Sequence, residues 1–201
     1  MKVIAATNNK HKLEEIAYIM NNMQIEVQSL SDIGLDIDVE ETGDTFLENA
    51  LLKAREVGRA AGKLVIADDS GLEVEALGGA PGVHSARYSG YDGEQKDQKN
   101  REKLLNAMND IPSEKRSARF CTVIAAVFPD GREITAEGFV YGRIGYEEKG
   151  SFGFGYDSLF IVDGYNKTMA ELPSEVKNQI SHRANALKEF EKKFRAALIS
   201  S

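Results

Sequence analysis

The chain has 201 residues, with 25 Lys plus Arg against 32 Asp plus Glu and a formal net charge of −7. That length supports one domain, or two small lobes sharing a core, with enough buried surface to need no covalent staple. The lone cysteine, Cys121, excludes an internal disulfide or multi-cysteine zinc site. The scattered His11, His84 and His182 exclude a local zinc spacing, and the acid excess speaks against a grip on a nucleic-acid polymer.

Lys2 to Ala6 reads as a short buried strand running into the polar loop Thr7 to Lys10. Leu13, Ile16, Ala17 and Met20 then recur on one face of a helix, and Ile25 to Leu30 reads as a second strand, the opening of an α/β fold. Thr45 with Glu48 forms a capping box for a helix that buries Phe46, Ala50, Ala54, Val57 and Ala61 and stops at Gly62. Leu64 to Ala67 reads as a buried strand halted by Asp68-Asp69-Ser70-Gly71.

A glycine-rich loop, Gly78 to Gly82, precedes a polar stretch whose helix ends near Met108. Ser117 to Phe128 and Arg132 to Ile144 form a hairpin about Pro129-Asp130-Gly131. The last third holds the loop Ser151 to Asp157, a strand near Leu159 to Val162, and helices from Pro173 to Leu198. The longest apolar run, Cys121 to Phe128, is far short of the ~20 residues of a membrane span, and the N-terminal apolar run is too short for a secretory signal. A soluble, cytoplasmic protein with no membrane partner is the expectation, and the sequon at Asn166 is then idle.

Chemistry in such folds gathers where strands end and helices begin. The first junction, Thr7-Asn8-Asn9-Lys10-His11-Lys12, puts a hydroxyl, amides and lysines at a helix start, where an anion is favoured; the plain alternative is an N-cap by Thr7 or Asn8 with solvated lysines. It is not a Walker loop.

The second junction places Asp68 and Asp69 beside a buried strand. Adjacent strand residues point to opposite sides, so one of the two faces a site, either as a Mg²⁺ ligand or as a simple cap. Glu40-Glu41 is a second acidic pair, and the Asp36-x-Asp38-x-Glu40 spacing fails as an EF-hand because Glu41 replaces the needed glycine. Lys53, two turns into its helix, reads alone as a surface lysine. Gly153-Phe154-Gly155-Tyr156-Asp157 alternates glycine and aromatics, suited either to stacking a flat base or to an ordinary turn with core-facing rings. Lys177, His182 and Arg183 supply donors on the C-terminal helices or form a basic face, and His84 and Arg87 flank the glycine-rich loop without a settled role.

Together these segments resemble the inosine triphosphate pyrophosphatase family, enzymes that clear non-standard purine nucleotides. The marks are Ala6-Thr7-Asn8-Asn9-x-x-Lys12, Glu40-Glu41-Thr42-Gly43-x-Thr45-Phe46-x-Glu48-Asn49-Ala50, Ala67 to Leu72, Gly78 to Tyr88, Phe152 to Asp157 and Ser181-His182-Arg183, in order along nearly the whole chain. The resemblance implies two α/β lobes about a long twisted mixed sheet with a nucleotide cleft, in a homodimer using Mg²⁺ to release pyrophosphate from ITP, dITP or XTP. By position it implies that Thr7 to Lys12 and Lys53 hold the triphosphate, that Glu40 and Asp69 hold Mg²⁺, and that Asp69 is the general base. Ser70 would contact substrate, and Phe154, Gly155, Tyr156, Asp157, Lys177, His182 and Arg183 would form the purine pocket. Two other readings are a Maf-like pyrophosphatase for modified pyrimidine or methylated nucleotides and a nucleotide sensor without turnover. A substrate panel separates all three.

Overall fold

A computed structural model describes residues 1–199. The strands are β1 (Lys2–Ala5), β2 (Glu26–Gln28), β3 (Val65–Val74), β4 (Ser117–Val127), β5 (Glu133–Ile144) and β6 (Phe160–Val162). The helices are α1 (Lys10–Asn21), α2 (Phe46–Ala61), α3 (Lys96–Ala107), α4 (Ser174–Ile180) and α5 (His182–Ile199). The sheet is six-stranded in the order β2-β1-β3-β4-β5-β6. It is mixed, because β1 is parallel to β2 and β3 whereas β5 is antiparallel to β6. The expected α/β class is therefore the observed one.

The chain divides into two compact units. The first comprises 1–69, 122–138 and 182–201, and the second comprises 70–121 and 139–181. Strands β3, β4 and β5 each contribute residues to both units.

In the first unit, the βαβ opening leaves Val3, Ala5 and Ile66 on one face of the sheet. Ile16 and Met20 of α1 and Leu187, Phe190 and Phe194 of α5 pack there in one apolar cluster. Phe194 stacks on both Phe190 and Phe128, with ring centroids 5.2 and 5.7 Å apart. Helix α2 starts where the sequence places it: the Thr45 hydroxyl accepts from Glu48 N–H and the Glu48 carboxylate accepts from Thr45 N–H. It ends at Gly62 in the left-handed region, φ 60°.

In the second unit, Leu72 and Val74 of β3, Val140 and Ile144 of β5, Leu104 of α3 and Met108 just after it share a core with Tyr156, Leu159 and Phe160. The buried Arg116 guanidinium donates to the carbonyls of Met108, Ile111, Ile144 and Gly145, satisfying the backbone where α3 and β5 end.

One expected element differs. The strand expected to stop at Asp68 instead runs to Val74 as β3, because its next residues are also buried and Leu72 and Val74 continue the alternation into the second core. The two aspartates therefore lie inside a strand, not on a loop after it.

Gly138 of β5 sets the approach of α5. A methyl group there would collide with the backbone nitrogen of Ala186 and the carbonyl of His182, and would lie 2.7 Å from Ala186 Cα. Gly138→Ala is expected to lower stability by about 1–3 kcal/mol because backbone, not a flexible side chain, must yield. Gly58→Ala, which meets only Val127 Cγ1 at 3.7 Å inside α2, is expected to be neutral or to stabilise by about 0.5–1 kcal/mol. Chemical denaturation of both variants checks the contrast.

Candidate active site

The first unit gathers two groups of charge about β3. Asp68 and Asp69 are both buried, at 1% and 4% exposure, and the pleat sends them to opposite faces. Asp68 shares the face of Ile66. Its Oδ2 receives Lys12 Nζ of α1 at 3.1 Å and Arg183 Nε and Nη2 of α5 at 3.3 and 3.2 Å. Arg183 is itself buried, and its Nη1 donates to Glu15. Burial opposes the Arg183 charge, but Asp68 and Glu15 outweigh it and raise its pKa.

Asp69 faces α2. Asn49 Nδ2 donates to Asp69 Oδ2 at 3.1 Å, and Lys53 Nζ lies 3.7 Å from Asp69 Oδ1 while donating to Glu41 Oε1 at 2.5 Å. Burial is the largest influence on Asp69 and raises its pKa to about 6; Lys53 pulls it down and Glu41 pushes it up. Lys53 is also penalised by burial, yet Asp69, Asp68 and Glu41 together hold its pKa above the usual lysine value. The lysine that alone reads as a surface residue is thus the cation of an acidic cluster.

The phosphate-type junction is held by Asn9. Its Oδ1 accepts from the N–H groups of His11 and Lys12 at 3.0 and 3.2 Å, while Thr7 Oγ1 accepts from Asn9 N–H. The cap is therefore Asn9 and not Thr7 or Asn8, since Asn9 immediately precedes the first helical residue. Asn8, Lys10 and His11 are exposed, and Lys12 is turned inward to Asp68. Thr7 to Lys10 form one wall of an open groove of about 540 Å³, with Ser29 to Ser31, Leu35 and Asp36 opposite.

The second unit fixes the glycine–aromatic loop. Asp157 and Lys177 form a buried pair at 2.5 Å, and Gly153, at φ 89°, lies so close that a side chain there would strike both. Helix α3 clamps the next glycine: Asp97 accepts from Gly155 N–H and Arg101 donates to Gly155 C=O, each at 3.0 Å. The Tyr156 ring belongs to the core and its hydroxyl donates to Ser85 C=O at 2.8 Å, with burial raising its pKa. Phe154 and Ser70 are half-buried. His182 is half-buried at the start of α5, while His84 and Arg87 are exposed on the turn Gly82–Arg87.

The structure thus brings Lys53 to Asp69, Lys12 and Arg183 to Asp68, and Lys177 to Asp157. Glu40 is exposed, and it is the neighbouring Glu41 that reaches Lys53. Sequence reasoning noted Glu41 and Asn49 without giving either a place in the site, and it missed Glu15. A signal existed for Asn49: a polar residue three positions after Phe46 lies on the buried stripe of α2, where it must have partners. Its Oδ1 accepts from Gly43 N–H at 2.7 Å and so ties the acidic loop to the helix that carries Lys53.

A folded pKa near 6 against an unfolded value near 3.8 means that folding takes up a proton on Asp69 between those pH values. This group's contribution is therefore most favourable below about pH 4 and is lost as pH rises through 6, by up to about 3 kcal/mol. Asp69→Asn, which retains an acceptor for Asn49, is expected to be more stable than wild type at pH 7 in EDTA, the gap closing toward pH 4. Urea unfolding at both pH values measures it.

A family model described as the Ham1 family matches residues 3–193. A dITP/XTP pyrophosphatase of Bacillus subtilis (strain 168) is 50% identical over 192 residues, covering 95% of this chain and 96% of that protein. One from Clostridium perfringens is 46% identical over 203 residues, with 98% of each chain covered. Among solved structures, the Ham1 protein of Staphylococcus aureus superposes with a TM-score of 0.86 at 43% identity, over 98% of this chain and 100% of that one. A Ham1 protein from Coxiella burnetii gives 0.87 at 36% identity, over 98% and 99%. With motifs, sheet order and near-complete coverage in agreement, the chain belongs to the Ham1 family.

Proposed function

We propose that this protein hydrolyses non-standard purine nucleoside triphosphates (dITP, ITP and XTP) to the monophosphate and pyrophosphate, keeping them out of DNA and RNA. The observation that carries this reading is Asp69: a carboxylate beside Lys53 whose pKa burial raises to about 6, in a chain whose relatives are named dITP/XTP pyrophosphatases. Water adds to the α-phosphorus, the bond to the departing pyrophosphate breaks, and Asp69 takes the water's proton.

The donor set fits Mg²⁺. Among the described residues no cluster of three His, Cys, Asp or Glu exists, so a full protein cage is absent; Mg²⁺ instead uses one or two carboxylates plus phosphate oxygens. Asp69 and Glu40, with Glu41 alongside, would provide those carboxylates, and the burial that raises the Asp69 pKa is a cost that a bound cation would offset. When bound, the ion would offset phosphate charge and keep Asp69 ionised at neutral pH.

The polar turn Thr7 to Lys12 and Lys53 hold the triphosphate, an assignment supported by their lysines and by the groove beside the turn. Ser70 contacts substrate. Phe154 to Asp157, Lys177, His182 and Arg183 recognise the purine, the 154–157 loop being held in place by Asp97, Arg101 and the Asp157–Lys177 pair. Inosine and xanthine carry an oxo acceptor at C6 where adenine carries an amino donor, so donors placed there pair with the former and are left unpaired by the latter. A homodimer, with no membrane or nucleic-acid polymer as partner, completes the proposal; no helix among the described residues is long and apolar enough to cross a membrane.

Pyrophosphate release measured with ITP, dITP, XTP, GTP and ATP, with and without Mg²⁺, is expected to favour the first three by ~10²-fold or more. A flat profile refutes the specificity. Asp69→Asn is expected to lose turnover by ~10³-fold while remaining folded, and retained activity removes Asp69 from the role of base.

A further inference from the structure

Asp68 has no place in the chemistry proposed above, yet it is the more heavily engaged of the two aspartates. Its Oδ2 takes the ammonium of Lys12 at 3.1 Å and two nitrogens of Arg183 at 3.2 and 3.3 Å, and its side chain is fully shielded from solvent. Lys12 closes the polar turn, and Glu15 lies one helical turn farther along α1, where residues three apart are neighbours. Glu15 binds the remaining nitrogen of Arg183. Two carboxylates and two cations thus alternate as Lys12–Asp68–Arg183–Glu15, linking α1, β3 and α5.

We propose that Asp68 is the positioning residue that fixes the Lys12 ammonium for the triphosphate, and that Glu15 supports it by sharing Arg183. This rests on the assignment of Lys12 to the phosphates. The electrostatics favour it over a purely structural role. Lys12 is surrounded by charge from three elements: Asp68 and Asp69 on β3, Lys53 on α2 and Arg183 on α5. Burial is the largest influence on Lys12 and lowers its pKa, Lys53 and Arg183 add to that, and Asp68 is the main group opposing them. Without Asp68, a buried lysine facing two other cations loses its proton far more readily. Without Glu15, Arg183 is less neutralised, and its repulsion of Lys12 grows in the same sense.

The experiment is KM for ITP, at fixed Mg²⁺, from about pH 7 to about pH 10, each variant read as a ratio to wild type at the same pH so that ionisation of the hypoxanthine N1–H, common to all, cancels. A binding lysine that deprotonates raises KM up to ~10-fold per pH unit above its pKa. The rise is expected to begin about one unit or more lower in Asp68→Asn than in wild type, and to shift the same way by less in Glu15→Gln. Adding Lys12→Arg to Asp68→Asn is expected to remove the early rise relative to wild type, because a guanidinium stays charged throughout this range. Should Asp68→Asn fail to fold, Glu15→Gln, whose side chain is 24% exposed, carries the test alone. A KM profile in the variants that matches wild type, or an early rise relative to wild type that survives Lys12→Arg, overturns the proposal. Wild type that releases no pyrophosphate from ITP overturns instead the function on which it rests.

Discussion

Two ionised carboxylates in succession on a buried strand are costly unless each meets its own compensating charge, and the pleat of β3 makes that possible. Because neighbouring strand residues face opposite ways, Asp68 finds the helices on one side of the sheet and Asp69 finds α2 on the other. Helices α1, α2 and α5 must each bring a particular side chain to β3, and their capping, spacing and approach follow from that demand. Asn9 starts α1 three residues before Lys12, the Thr45–Glu48 box sets the phase that presents Asn49 and Lys53, and Gly138 lets the first turn of α5 come close enough to deliver Arg183.

The two carboxylates sit in different electrostatic surroundings. Asp68 has a lysine and a buried arginine on one oxygen. Asp69 has one amide and a lysine that lies closer to Glu41 than to it. A carboxylate that holds two cations organises the elements that carry them, and one whose pKa burial raises takes up a cation or a proton more readily.

The second unit treats its loop differently. There the fixing agents are backbone contacts: Asp97 and Arg101 grip both ends of the Gly155 residue, Tyr156 is anchored through Ser85, and Gly153 rests against the Asp157–Lys177 pair. Asn100 of α3 adds to this by accepting from Ser89 N–H and donating to the carbonyls of Ser85 and Ala86. A loop so held keeps its N–H groups at fixed positions, which suits discrimination between ligands of nearly the same shape.

What the sequence determined by itself was whatever rests on neighbours a few residues apart. The capping box of α2, its glycine stop, the Pro129–Gly131 hairpin and the opposed directions of Asp68 and Asp69 all follow from local hydrogen bonding and from the periods of helix and strand. The motifs also sufficed for the family. Only the tertiary structure decided that β3 runs on to Val74, that Glu41 and not Glu40 reaches Lys53, and that Arg183 serves Asp68 and Glu15. Those partners lie 115 and 168 residues away in the chain. No local spacing encodes such a distance, because the pairing exists only once burial has removed water and left each charge to find the nearest opposite one.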